Sequence, residues 1–113
     1  MTEKVQIEAR GGSKPGTRIL QMTGHLNLIT VPGFLETMRA ETARGVILDF
    51  TGITMLDSAG VGSLIQMVTA FQKDGRKLIL VGLSDRAKNV LELTRVARLF
   101  SIYPTAAEAE AQL

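Results

Sequence analysis

Apolar residues recur along the chain with two distinct periods. Val5, Ile7 and Ala9 alternate with Lys4, Gln6, Glu8 and Arg10, which predicts a half-buried strand. Gly11 to Gly16 (GGSKPG) is a run of turn residues. Arg18 to Thr23 (RILQMT) reads as a second strand, antiparallel to the first, with Gly24, His25, Leu26 and Asn27 leaving the sheet. The unbroken run Val46-Ile47-Leu48, continued by Phe50, predicts a strand buried on both faces, and a turn of small residues is expected after it. Lys77 to Val81 (KLILV) reads as another buried strand.

Helical spacing fills the gaps between strands. Val31, Phe34, Leu35 and Met38 make one stripe, with Thr30 as expected N-cap, Pro32 in the first turn and Gly45 as a left-handed stop. Val61, Leu64, Ile65, Val68 and Phe71 make a second stripe, closed at Asp74-Gly75. A third helix starts at Ser84, turns Ala87, Val90 and Leu91 inward and runs to about Leu93. Val96, Leu99 and Phe100 form a further apolar cluster. Ile102 and Tyr103 read as a short edge strand before Pro104. Thr105-Ala106-Ala107-Glu108 is a capping box for a short last helix. The order is β-β-α-β-α-β-α-β-α. Strand–helix–strand units imply parallel pairing, and the opening hairpin adds an antiparallel element. The expected fold is α/β: a mixed sheet of four or five strands, with about four helices packed mainly on one side. Phe34, Phe71 and Phe100 are assigned to the core; Arg86, Lys88, Arg95 and Arg98 are assigned to a solvated face.

Composition narrows the function classes. At 113 residues the chain holds one domain, expected over 1–113 with its core at about 5–109. Thirteen basic and eleven acidic groups leave a net charge of +2, and no basic run is interleaved with aromatics, which argues against nucleic acid. The absence of cysteine excludes disulfides and thiolate metal sites. No apolar stretch is long enough for a bilayer, and MTEKVQIEAR has no signal-peptide core. The expectation is a soluble cytoplasmic protein without membrane insertion, metal or cofactor.

The chemistry concentrates where the central strand meets its helix, in VILDFTGITMLDSAGVGSLIQM (Val46–Met67). Asp57 stands at the N-cap position, where its carboxylate can accept a bond from a free amide one or two residues past Ser58. Ser58 then lies in the first turn with its hydroxyl exposed. Serine is common at helix starts, so a purely structural role fits the spacing. A phosphoacceptor role fits as well, because first-turn amides and the helix dipole favour a phosphate. Ala59, Gly60 and Gly62 leave the hydroxyl open. Met55, Leu56 and Val61 are candidate apolar anchors around it, with Leu56 equally suited to the core. His25, Leu26 and Asn27 form either a second contact patch or an ordinary connection. Ser58 to Ser63 matches neither the dinucleotide fingerprint nor the P-loop. A hydrolase would need His25 as base and the Gly-x-Ser-x-Gly elbow, which Ser58 lacks.

This order of elements, with Asp57-Ser58-Ala59-Gly60-Val61-Gly62 opening the helix, resembles the STAS domain, whose members include bacterial anti-sigma factor antagonists. The ending VLELTRVARLFSIYPTAAEA is also similar to that family's last helix and strand, and the likeness covers roughly Val5 to Ala109. The resemblance implies a partner switch. An anti-sigma factor with a serine kinase fold binds the antagonist while Ser58 is free, and phosphorylation of Ser58 releases it. A serine phosphatase resets the cycle. The chain would then be a kinase substrate and not an enzyme. Its partner surface would take in His25, Leu26, Asn27, Met55, Asp57, Ser58, Ala59, Gly60, Val61 and Gly62. A scaffold subunit, for example of a lipid-transport complex, is the other role the resemblance suggests, with Ser58 unmodified. Two stretches depart from the family pattern. Gly24-His25-Leu26-Asn27 stands where many members read Gly-Glu-Leu-Asp, and Leu93-Thr94-Arg95-Val96 stands where Leu-Thr-Gly-Leu is common.

Overall fold

The computed structural model describes residues 3–113. Five strands form one mixed sheet in chain order: β1 (Gln6–Gly11), β2 (Thr17–Leu26), β3 (Gly45–Leu56), β4 (Lys77–Val81) and β5 (Ser101–Tyr103). β1 and β2 pair antiparallel, and β2 through β5 run parallel. Helices α1 (Val31–Ala40), α2 (Ser58–Lys73) and α3 (Asp85–Leu93) follow β2, β3 and β4 in turn; α4 (Ala106–Glu110) comes last.

Alternation along the strands sorts the core onto two faces. Leu20, Met22, Val46, Leu48 and Leu80 point to one face, where Phe34 and Met38 of α1, Leu64 and Phe71 of α2 and Leu91 of α3 cover them. Ile19, Ile47, Ile79 and Val81 point to the other, where Ala109 of α4 seals a smaller cluster. Three helices therefore pack on one side and one short helix on the other. α4 is tied to the β1–β2 loop as well: Ser13 donates to Glu110 from its amide (2.7 Å) and its hydroxyl, and Lys14 Nζ donates to the Leu113 carbonyl (2.6 Å). The two Ser13 bonds, the hydroxyl's foremost, hold the Glu110 carboxyl below the usual carboxylate range, with the Arg10 and Lys14 charges adding to the effect.

Several boundaries differ from the sequence reading. β2 does not end at Thr23 but continues through His25 to Leu26, and β3 continues through the expected turn to Leu56. The two extensions pair with each other, His25 opposite Met55 and Leu26 opposite Leu56, across two irregularities in register. Gly45 is not a helix stop but the buried first residue of β3; α1 ends at Ala40. Thr30 does not cap α1. Its hydroxyl donates back to the His25 carbonyl (2.8 Å) and accepts from the Asn27 amide (3.0 Å). β1 is more exposed than its alternation suggests, Ala9 included, because it is the sheet edge.

The helix ends follow capping chemistry closely. Ser84 accepts from the Ala87 amide and Thr105 from the Glu108 amide. α2 closes with Gly75 at φ +67, the Gly75 amide bonding to Gln72 and the Arg76 amide reaching back to Phe71. α3 closes the same way without glycine: Arg95 sits at φ 60, its amide bonds to Glu92 and the Val96 amide reaches Leu91. The turn that glycine commonly makes is thus kept by an arginine held in left-handed backbone. Arg95→Gly is expected to stabilise the fold by about 0.5–1 kcal/mol by removing that strain. The check is a urea denaturation series, in which the midpoint should rise with an unchanged slope.

Candidate functional site

Asp57 organises the end of the sheet where β2 and β3 finish together. Its backbone is extended (φ −103, ψ −176), which turns the carboxylate back over the first turn of α2. One oxygen accepts from the Gly60 amide at 2.8 Å. The other accepts from the Leu28 amide at 3.1 Å, in the loop after β2. The Asp57 amide in turn donates to the Leu26 carbonyl at 3.3 Å. One aspartate therefore clasps the β2–α1 loop to the start of α2. Its two oxygens each use a charge-assisted bond, stronger than neutral ones.

Ser58 is the first residue of α2 and is exposed. Val61 makes the first intrahelical bond, to the Asp57 carbonyl, and Gly60 gives its amide to the Asp57 carboxylate. The Ser58 and Ala59 amides are then the first-turn donors that helix geometry leaves without an intrahelical acceptor. Ala59 is half-buried beside the hydroxyl, and Gly62 is exposed with open space where a side chain would stand.

Not every residue expected at a contact surface is on it. Leu26 is fully buried and Val61 is 4% exposed; both pack in the main core with Leu56. Their alternation with Leu20 and Met22, and with Leu64 and Val68, turns them inward. Gly60 is buried too. A Cβ there would overlap the Leu26 carbonyl oxygen and lie 2.8 Å from Leu56 Cδ1, so its bareness serves the packing of α2 onto β2. It offers no open approach to a partner. Met55, by contrast, is 50% exposed.

His25 is half-buried at the end of β2 and turns Nδ1 to the Thr54 hydroxyl (3.1 Å), not to Ser58. Asn27 builds the loop. Its Oδ1 accepts from the Ile29 and Thr30 amides (3.0 and 3.1 Å), and its Nδ2 donates to Glu3 (3.3 Å). The loop it shapes presents two residues that pattern reasoning passed over, Leu28 at 71% and Ile29 at 60% exposure. Both are large apolar side chains in a short connection, and neither falls on a helical or strand period. Leu28, whose amide bonds Asp57, and Met55, two residues before it in the chain, put exposed apolar side chains at the Asp57–Ser58 junction, whereas Ile29 lies beside Glu3, Lys4 and Pro32. Of the charged groups, only Asp57 lies within the stretches 26–35 and 51–72.

A family model for the STAS domain matches residues 7–109. The chain belongs to the STAS domain family. Among its relatives, the anti-sigma-B factor antagonist of Staphylococcus aureus is 26% identical over 86 residues, covering 74% of this chain and 80% of the relative. A proposed anti-sigma factor antagonist from Thermotoga maritima superimposes with a TM-score of 0.86 at 21% identity, over 94% of this chain and 92% of that one. The Bacillus cell-fate determinant SpoIIAA has been solved in unphosphorylated and phosphorylated forms. These match with TM-scores of 0.73 and 0.68, both at 18% identity, over 96% of this chain and 94% and 97% of theirs. At those identities the structures share the STAS fold. Among the described residues, no helix of this STAS domain is long and apolar enough to cross a membrane.

Proposed function

We propose that this STAS domain is an anti-sigma factor antagonist whose grip on its partner is set by phosphorylation of Ser58. The observation that carries the reading is the placement of Ser58. An exposed residue stands on the first turn of α2, next to the Asp57 clasp and flanked by the exposed Leu28 and Met55. Apolar rim and accessible hydroxyl together make a surface that a protein partner can desolvate and a kinase can reach. The Staphylococcus relative carries the antagonist name, and SpoIIAA exists in both phosphorylation states, which supports the same role here.

In this reading the partner is an anti-sigma factor with a serine kinase fold, and a serine phosphatase regenerates the free hydroxyl. Bound antagonist withholds the anti-sigma factor from its sigma factor. Contacts come from His25, Asn27, Met55, Ser58, Ala59 and Gly62, joined by Leu28 and Ile29. Asp57, Gly60, Leu26 and Val61 position them from beneath. The domain acts as substrate and ligand, with no turnover of its own, in the cytoplasm.

The test is a pull-down from the native cytosol with two baits, Ser58→Ala and Ser58→Asp, read by mass spectrometry. A kinase-like regulator held by the alanine bait and depleted on the aspartate bait is the expected result. Equal retention of the same partners by both baits would sink the reading and leave a constitutive scaffold in its place.

A further inference from the structure

β5 pairs only with Ile79 to Val81, whereas β4 begins at Lys77. The outer edge of β4 is therefore bare at Lys77 and Leu78, and a groove of about 270 Å³ opens there. It lies at the start of β4, at the opposite end of the parallel strands from Ser58, which follows the end of β3. Because the groove wraps round a sheet edge, its floor draws on both faces: Leu78 and Val68 from the main core side, Ile79 from the α4 side. Leu99, 44% exposed, forms an apolar rim.

Among the described residues, Arg76 and Lys77 line this groove and no aspartate or glutamate does. Lys77 is exposed. Arg76 is held rigidly. Its Nε donates to the Ala43 carbonyl (2.9 Å), Nη2 donates to the Glu41 carbonyl (2.8 Å), and its guanidinium lies 3.9 Å over the Phe71 ring. Those acceptors are neutral carbonyls, among the described residues no carboxylate pairs with the guanidinium, and it has further N–H groups to give. A fixed guanidinium loses little freedom when it receives a planar anion in a two-pronged bond. Tyr103 lines the same groove.

We infer that the groove at the start of β4 binds a small monocarboxylate with an apolar body. The carboxylate sits between Arg76 and Lys77, and the body lies on Leu78, Ile79 and Leu99. The volume is just below the range of about 300–1,000 Å³ that holds drug-sized ligands, so the fit is to a short aliphatic or single-ring acid.

The probe is hexanoate, titrated into the isotopically labelled protein and followed by amide NMR, with hexan-1-ol and inorganic phosphate as comparison arms. Saturable shifts centred on Leu78, Ile79 and Ser101 are expected with hexanoate. Hexanol should bind about tenfold or more weakly, having lost the charge-assisted bonds. Phosphate alone should give weaker shifts, lacking the apolar body. Lys77→Gln and Leu99→Glu both change exposed side chains, and each should weaken hexanoate while the remaining spectrum stays in place. Shifts that never saturate, that centre elsewhere, or that are matched by hexanol would overturn the assignment. So would hexanoate binding unchanged in both variants, or phosphate binding as tightly as hexanoate.

Discussion

Gly60→Ala lowers the stability of the domain by about 2–4 kcal/mol, the cost of forcing a methyl group into a packed interface that cannot yield cheaply. The position is the third of α2, where alanine would ordinarily be worth up to about 1 kcal/mol more than glycine. Here the sign reverses. The new Cβ overlaps the Leu26 carbonyl oxygen and lies 2.8 Å from Leu56 Cδ1, and the first of these is backbone. α2 must lift away from β2, which stretches the Leu28–Asp57 bond at 3.1 Å that ties the helix start to the β2–α1 loop. Thermal unfolding measures the effect, with a fall of about 8–16 °C expected at roughly 4 °C per kcal/mol. Gly62→Ala is the internal control. It lies two residues on, is exposed and meets nothing within 4 Å, so it should gain stability by up to about 1 kcal/mol. Equal shifts in the two variants would mean that Gly60 is not clamped between Leu26 and Leu56.

The same contact explains what could be read from the residues and what could not. Asp57 as cap and Ser58 as helix start follow from local chemistry alone: an acceptor side chain, a turn, then helical spacing. The glycine stop at Gly75 and the caps at Ser84 and Thr105 are local in the same sense. Burial of Leu26 is not local. It follows from β2 running on to pair with the end of β3, and the register of that pairing slips twice. Phe50, Ile53 and Leu56 are buried at intervals of three, so β3 loses the period of two that marks a strand. A signal did exist in β2, where Leu20, Met22 and Leu26 keep to even positions across Gly24. Thr30 shows the opposite case. A cap residue at the right place was drawn off by the Asn27 turn, whose bonds it shares. Leu28 and Ile29 escaped notice because periodicity has no purchase on a four-residue connection.

Under the proposed partner switch, phosphate on Ser58 is expected to weaken partner binding at least about a hundredfold, a loss of about 2.8 kcal/mol. The phosphoryl group brings about −1.5 to −2 charges at neutral pH. It arrives beside Asp57, whose two oxygens are both engaged by backbone amides. The stretches that frame the site, 26–35 and 51–72, carry no lysine or arginine to pair with it. Leu28 and Met55 are exposed beside it, so a partner that covers this surface removes water from a dianion. The hydroxyl is exposed at the helix start, so the charge is added without displacing core and the fold should be unchanged. Titration calorimetry against the purified anti-sigma factor, with phosphoserine built in at position 58, measures the difference directly. Ser58→Asp carries one charge in place of two and should fall between, with Ser58→Ala close to the unmodified protein. Phosphorylated and alanine forms within about threefold of each other, under 1 kcal/mol, would show that no partner desolvates Ser58. A phosphorylated form that binds weakly because α2 has unravelled would betray itself by a lost amide spectrum at Gly60 and Leu28, whose hydrogen bonds to Asp57 report the clasp.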